Sequence, residues 1–151
     1  MRKFISVFFL MVFAGSANAQ VSNPVNWTFS AVKIADKMYE LHLTAGIENK
    51  WHMYAQDAGE GPDPTTIHFR TNPLIAFDGS VKEIGKLEKL YEKYFRSVSK
   101  YYEKKVDFVQ KVKVRSAIAT VVTGTVSFVV CNDRQCLPPK EVPFSIHVGG
   151  K

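Results

Sequence analysis

The chain has 151 residues, 20 Lys/Arg against 14 Asp/Glu, a formal charge of +6 and only two cysteines. That length suits one domain with a substantial core. The cationic excess is modest: residues 81–105 hold eight Lys/Arg against four Asp/Glu, and 20–80 is net acidic. This favours acidic partners only weakly and excludes the dense cationic stripe that nucleic acid binding needs.

The N-terminus reads as an export signal. Arg2 and Lys3 form a basic n-region, Phe4 to Phe13 is an apolar run, and Ala17-Asn18-Ala19 is a small-x-small cleavage site. The run is shorter than the roughly 20 residues that span a bilayer, and no cysteine follows the cut to receive a lipid. The expectation is a cleaved signal over 1–19 and one domain over 20–151, with no membrane insertion after cleavage.

From Val25 onward, period-2 alternation marks half-buried strands. Trp27, Phe29 and Ala31 alternate with polar neighbours. Tyr39, Leu41, Leu43, Ala45 and Ile47 form a longer set, and Ile67 and Phe69 a short one. Val106, Phe108, Val112 and Val114 follow with one polar interruption at Gln110. Val122, Val126, Phe128 and Val130 lead to the first cysteine, and Val142, Phe144, Ile146 and Val148 close the chain. Turn signals at 58–64, 71–73, Asp78-Gly79 and Gly124 separate the runs. Short strands so spaced predict an all-β, two-sheet antiparallel sandwich. One segment departs. Val81, Ile84, Leu87, Leu90, Tyr91, Tyr94, Phe95, Val98 and Tyr102 recur at three- and four-residue intervals, the spacing of an amphipathic helix weakened by Gly85.

Cys131 and Cys136 bracket Asn132-Asp133-Arg134-Gln135, a turn-prone tetrad after a strong strand. Opposed residues at the base of such a hairpin lie within disulfide range. Two uses fit: a structural staple, and a redox couple. Closing so short a loop stabilises a fold by only about 2 kcal/mol. Leu137-Pro138-Pro139 follows at once, and prolines donate no ladder hydrogen bonds, so the next strand starts late and leaves the sulfurs near a rim. Arg134 and Lys140 favour a thiolate and Asp133 opposes it. The residues alone leave the two uses level. Copper or zinc held by the cysteines with His42, His52, His68, His147 or Met53 lacks any tight ligand spacing, so no metal or other cofactor is expected. No Ser/His/Asp pattern, paired carboxylates or glycine-rich phosphate loop supports hydrolase or nucleotide chemistry.

Val130-Cys-Asn-Asp-Arg-Gln-Cys-Leu-Pro-Pro139 resembles the N-terminal periplasmic domain of the thiol:disulfide interchange protein DsbD and its stand-alone relatives, the disulfide bond corrector proteins. Weaker likeness extends through Asn23-Pro-Val-Asn-Trp-Thr-Phe-Ser30, Trp51-His-Met-Tyr-Ala-Gln56 and Val106-Asp-Phe-Val-Gln-Lys-Val112 to Phe144. The resemblance implies an immunoglobulin-like sandwich in the periplasm. It implies an oxidoreductase-type redox carrier that takes electrons from a separate thiol donor. These pass to thioredoxin-like acceptors in disulfide correction or cytochrome c maturation. Cys131 and Cys136 would be the redox pair, with Cys136 attacking the partner disulfide. A cap loop would shield them through Phe95, with Tyr94 beside it, making 91–99 irregular rather than helical. Trp51, Met53 and Tyr54 would line the site next to Pro138 and Pro139. The chain departs from the family pattern in two places. Its cysteines are one residue closer than in the best-studied members, and Lys93 and Tyr94 stand where the cap loop carries acids. The competing reading is an immunoglobulin-like binding module whose disulfide is purely structural.

Overall fold

The computed structural model describes residues 23–92 and 96–150. The alternating runs become strands β1 (Val25–Ala35), β2 (Met38–Ile47), β3 (His52–Tyr54) and β4 (Thr66–Phe69), then the long pair β5 (Ile75–Glu92) and β6 (Ser97–Val114). They are followed by β7 (Thr120–Phe128), β8 (Val130–Cys131) and β9 (Lys140–Val148). No helix occurs among the described residues. Two antiparallel sheets form an immunoglobulin-like sandwich: β1-β2-β6-β3-β8 with β5 on the other edge of β6, and β4-β7-β9.

The core lies where alternation places it. Leu41, Leu43 and Ala45 of β2 meet Val106, Phe108 and Val112 of β6. The second sheet contributes Val122, Val126, Phe128, Phe144 and Ile146. Trp27 and Phe29 stack at 6.0 Å and lead into Phe108, Phe128 and Phe144. Each of these side chains is driven inward by the apolar surface it removes from water, about 25 cal/mol per Å². Gln110 is the polar interruption, and it is buried. Its amide donates to the carbonyls of Asp78 at 3.1 Å, Gly79 at 3.2 Å and Lys111 at 2.8 Å. The β5–β6 register shifts between Asp78 and Lys82, so ladder partners are missing there. The glutamine supplies the donors a bulge removes.

Residues 81–102 are neither helix nor irregular loop on either side of 93–95: β5 and β6 pair continuously from Leu87↔Tyr102 to Glu92↔Ser97. The three- and four-residue spacing misleads for two physical reasons. Two register shifts, at 78–82 and 85–87, break the period of two along this ribbon. The apolar residues also form no buried stripe, since Ile84 is 60% exposed and Tyr91 59%.

β6 is long enough to hold two partners end to end on one edge. Lys105 to Lys113 pair with β2, and Tyr101 to Glu103 pair with β3. Lys104, with φ of 63°, sits at the changeover. This places the short β3 beside the far end of the β5–β6 ribbon. On its other edge β3 meets β8, where the chain leaves the second sheet after Phe128, joins the first for two residues, and returns at Lys140. The cysteine hairpin is the crossing point between sheets, at the rim.

Candidate functional site

Cys131 ends β8 and is bonded to Cys136, with Cα atoms 4.0 Å apart. Backbone bonds flank the pair: Asn132 N–H donates to Gln135 at 2.9 Å and Leu137 N–H to Val130 at 2.9 Å. The turn closes itself, because the Asn132 side-chain oxygen accepts from the amides of Arg134 and Gln135, both at 2.9 Å. Asparagine suits this position because its carboxamide substitutes for a backbone acceptor. The Leu-Pro-Pro run stays outside the ladder and β9 starts at Lys140.

The two cysteines occupy different environments. Cys131 is 2% exposed and packs with Tyr54, Ala58, Val129 and Tyr101. Cys136 is exposed. A disulfide so placed offers one sulfur to an incoming thiolate and keeps the other as a shielded leaving group, the asymmetry that exchange chemistry uses.

β3 supplies the neighbours of Cys131. Opposed residues in a ladder project to the same face, and His52 is opposite Cys131 on one side and Glu103 on the other. Tyr54 pairs with Tyr101. Imidazole and phenols therefore share the Cys131 face: His52 lies 4.7 Å from the Tyr101 ring and 5.4 Å, edge-on, from Tyr54. The His52 Nε2 and Tyr54 hydroxyl are 3.4 Å apart. Thr65 fixes the end of β3 by donating to the Tyr54 carbonyl at 2.5 Å.

Burial, and then the Glu92 carboxylate, push the Tyr54 hydroxyl up to about 12. Burial also raises Tyr101, with Glu103, Glu88, Glu92 and Asp133 adding to it. His52 is held below its ordinary value by burial, against the pull of Glu92, Glu103 and Asp133. A neutral imidazole amid three carboxylates is a proton acceptor at neutral pH.

The sequence-based candidates separate accordingly. Tyr54 is in the cysteine cluster. Trp51 borders a shallow depression with Asn132, Asp133 and Arg134 of the cysteine turn. Pro138 and Pro139 are exposed and, with Leu137, Val130 and Phe128, line an apolar groove beside it. Met53 does not line the cysteine face: it pairs with Val130, is fully buried, and belongs to the main core, because adjacent strand residues point to opposite faces. Tyr94 and Phe95, the expected shield, lie outside the described residues. His52 and Glu92 were missed. Strict alternation around Met53 signals His52, which shares a face with Tyr54. Glu92 becomes legible only once the ribbon's register is known, and it sets an acid near the site although Lys93 and Tyr94 stand where the family pattern has acids. The four histidines lie apart: His42 bonds Asp107 at 2.7 Å, and His68 and His147 are on β4 and β9. Among the described residues no three His, Cys, Asp or Glu gather as a metal site.

Fold and site together define an immunoglobulin-like β-sandwich with one asymmetric disulfide at its rim. Residues 18–146 match the family described as thiol:disulfide interchange protein DsbD, N-terminal, and the chain belongs to that family. Its chemistry is thus thiol:disulfide exchange. The N-terminal domain of DsbD from Neisseria meningitidis, in the reduced form, has a similar fold. The TM-score is 0.52 at 15% identity, over 82% of this chain and 86% of that one. The N-terminal periplasmic domain of ScsB from Proteus mirabilis gives 0.49 at 16% identity, over 82% of this chain and 44% of that one. No curated protein matches the chain.

Proposed function

We propose that the protein is an exported carrier of reducing equivalents, cycling Cys131 and Cys136 between dithiol and disulfide in the periplasm. The signal over 1–19 directs export, and 20–151 is the working domain. A separate thiol donor reduces the pair, and the dithiol reduces thioredoxin-like acceptors in disulfide correction or cytochrome c maturation. Among the described residues no helix is long and apolar enough to cross a membrane.

The observation that carries this reading is the unequal exposure of the two cysteines. The Cys136 thiolate attacks the acceptor disulfide, forming a Cys136–partner mixed disulfide and releasing one acceptor thiolate. Cys131 then attacks the Cys136 sulfur, closing the intramolecular bond and releasing the second. Two electrons leave the pair, and both acceptor sulfurs take up protons. Trp51, Pro138 and Pro139 form the walls an acceptor meets, the buried Tyr54 backs Cys131 from within, and Tyr94 and Phe95 are assigned the shielding role on family pattern.

The test is trapping. Reduced Cys131→Ser protein mixed with an oxidised thioredoxin-like protein gives a mixed disulfide on a non-reducing gel, and Cys136→Ser gives much less. Equal trapping by both, or by neither, refutes the reading.

A further inference from the structure

The exchange cycle just proposed leaves one step without a proton acceptor. Cys131 resolves the mixed disulfide only as a thiolate, yet it is 2% exposed among Tyr54, Ala58, Val129 and Tyr101. Apolar burial disfavours a thiolate, and bulk water has little access to the sulfur. A resident base is needed on the Cys131 face.

We propose that His52 is that base, taking the proton from the Cys131 thiol as Cys131 attacks the mixed disulfide held on Cys136. His52 stands opposite Cys131 in the β3–β8 ladder, where Cβ atoms of opposed residues are about 4.5–5.5 Å apart. Its half-buried ring packs at 4.7 Å on Tyr101 and edge-on to Tyr54. The groups facing it are Tyr54 on its own strand, Tyr101 and Glu103 on β6, Glu92 on β5, and Cys131 and Asp133 on the cysteine hairpin. Both phenols are raised by burial and neighbouring acids, so neither serves as a base at neutral pH. Burial keeps the imidazole neutral and able to accept, and the carboxylates stabilise the imidazolium once formed.

The step balances. The Cys131 thiol gives its proton to His52, and the thiolate forms the Sγ–Sγ bond to Cys136. The Cys136–partner bond breaks, the partner sulfur leaves with the electron pair, and it recovers a proton from the His52 imidazolium or solvent. In the reverse direction, a donor thiolate attacks Cys136 and the imidazolium of His52 protonates the departing Cys131.

This inference rests on the carrier reading, and one experiment separates the two. Reduced protein is mixed with dithiobis(nitrobenzoate) and thionitrobenzoate release is followed by stopped flow. Wild type is expected to release two equivalents in two phases, attack by Cys136 and then resolution by Cys131. Cys131→Ser is expected to give the first phase only. A wild type that shows no second phase overturns the carrier reading and this inference with it. Given both phases, His52→Gln and His52→Phe are expected to lower the ratio of second- to first-phase rates about 100-fold; the phenyl ring retains the packing on Tyr101. The wild-type second phase should stay flat above pH 6.5, the ordinary value for His52, and fall on acidification. In the variants it should climb about tenfold per pH unit, following the thiolate alone. Variants that keep the wild-type ratio and pH profile overturn the role of His52 and leave the carrier reading standing.

Discussion

Reducing the disulfide should cost the fold little. The bridged residues are 5 apart in sequence, closing a loop of about six residues, and the chain-entropy relation then gives about 2 kcal/mol. The native hairpin has its own supports, the Asn132 turn bonds and the flanking backbone bonds to Gln135 and Val130. None of these depends on sulfur, so little further loss is expected. At about 2.1 cal/mol/K per residue, 2 kcal/mol corresponds to a fall in Tm of about 6–7 °C for a chain this long. By the same cycle, the fold makes the disulfide harder to reduce than in the unfolded chain by only about 45 mV. The assay is thermal unfolding followed by circular dichroism, with and without excess dithiothreitol. A single cooperative transition lowered by this amount is the expected result. Unfolding at room temperature on reduction, or a loss above about 5 kcal/mol, would refute the reasoning and make the bond a staple.

Three further outcomes are expected. Gln110→Met keeps the volume but leaves the Asp78 and Gly79 carbonyls without their donor, which costs about 1–3 kcal/mol in urea unfolding. Gly124→Val drives its Cβ into the His68 carbonyl oxygen and the Phe144 ring, and should cost about 1–3 kcal/mol or more by the same measurement. Tyr54 and Tyr102 have folded values of about 12 against 10.0 unfolded. Raised values favour the neutral phenol in the fold, so this stability is complete below pH 10 and is lost as pH rises toward 12. In an ultraviolet titration these two phenols should ionise late, and together with unfolding.

Much of the sandwich was legible because one inner face imposes a period of two: Leu41, Leu43 and Ala45 could be placed before any coordinate. The β5–β6 ribbon was not. Its bulges destroy the period, and Leu87, Leu90 and Val98 stay partly in water, so hydrophobic spacing there carries no burial signal. Cysteine spacing marked the hairpin, and the proline pair marked the late start of β9. Which cysteine is buried depends on β3 sliding between β6 and β8, a long-range pairing that no local pattern encodes. The same pairing turns His52 from a scattered histidine into the residue opposite Cys131, and sends Met53 into the core.

The central claim is that Cys131/Cys136 is a working redox couple, and its reduction potential tests this most directly. Equilibrating the protein in defined thiol buffers should give a value above about −250 mV, within the range of exchange proteins. A value below about −300 mV, where structural disulfides lie, would contradict the account.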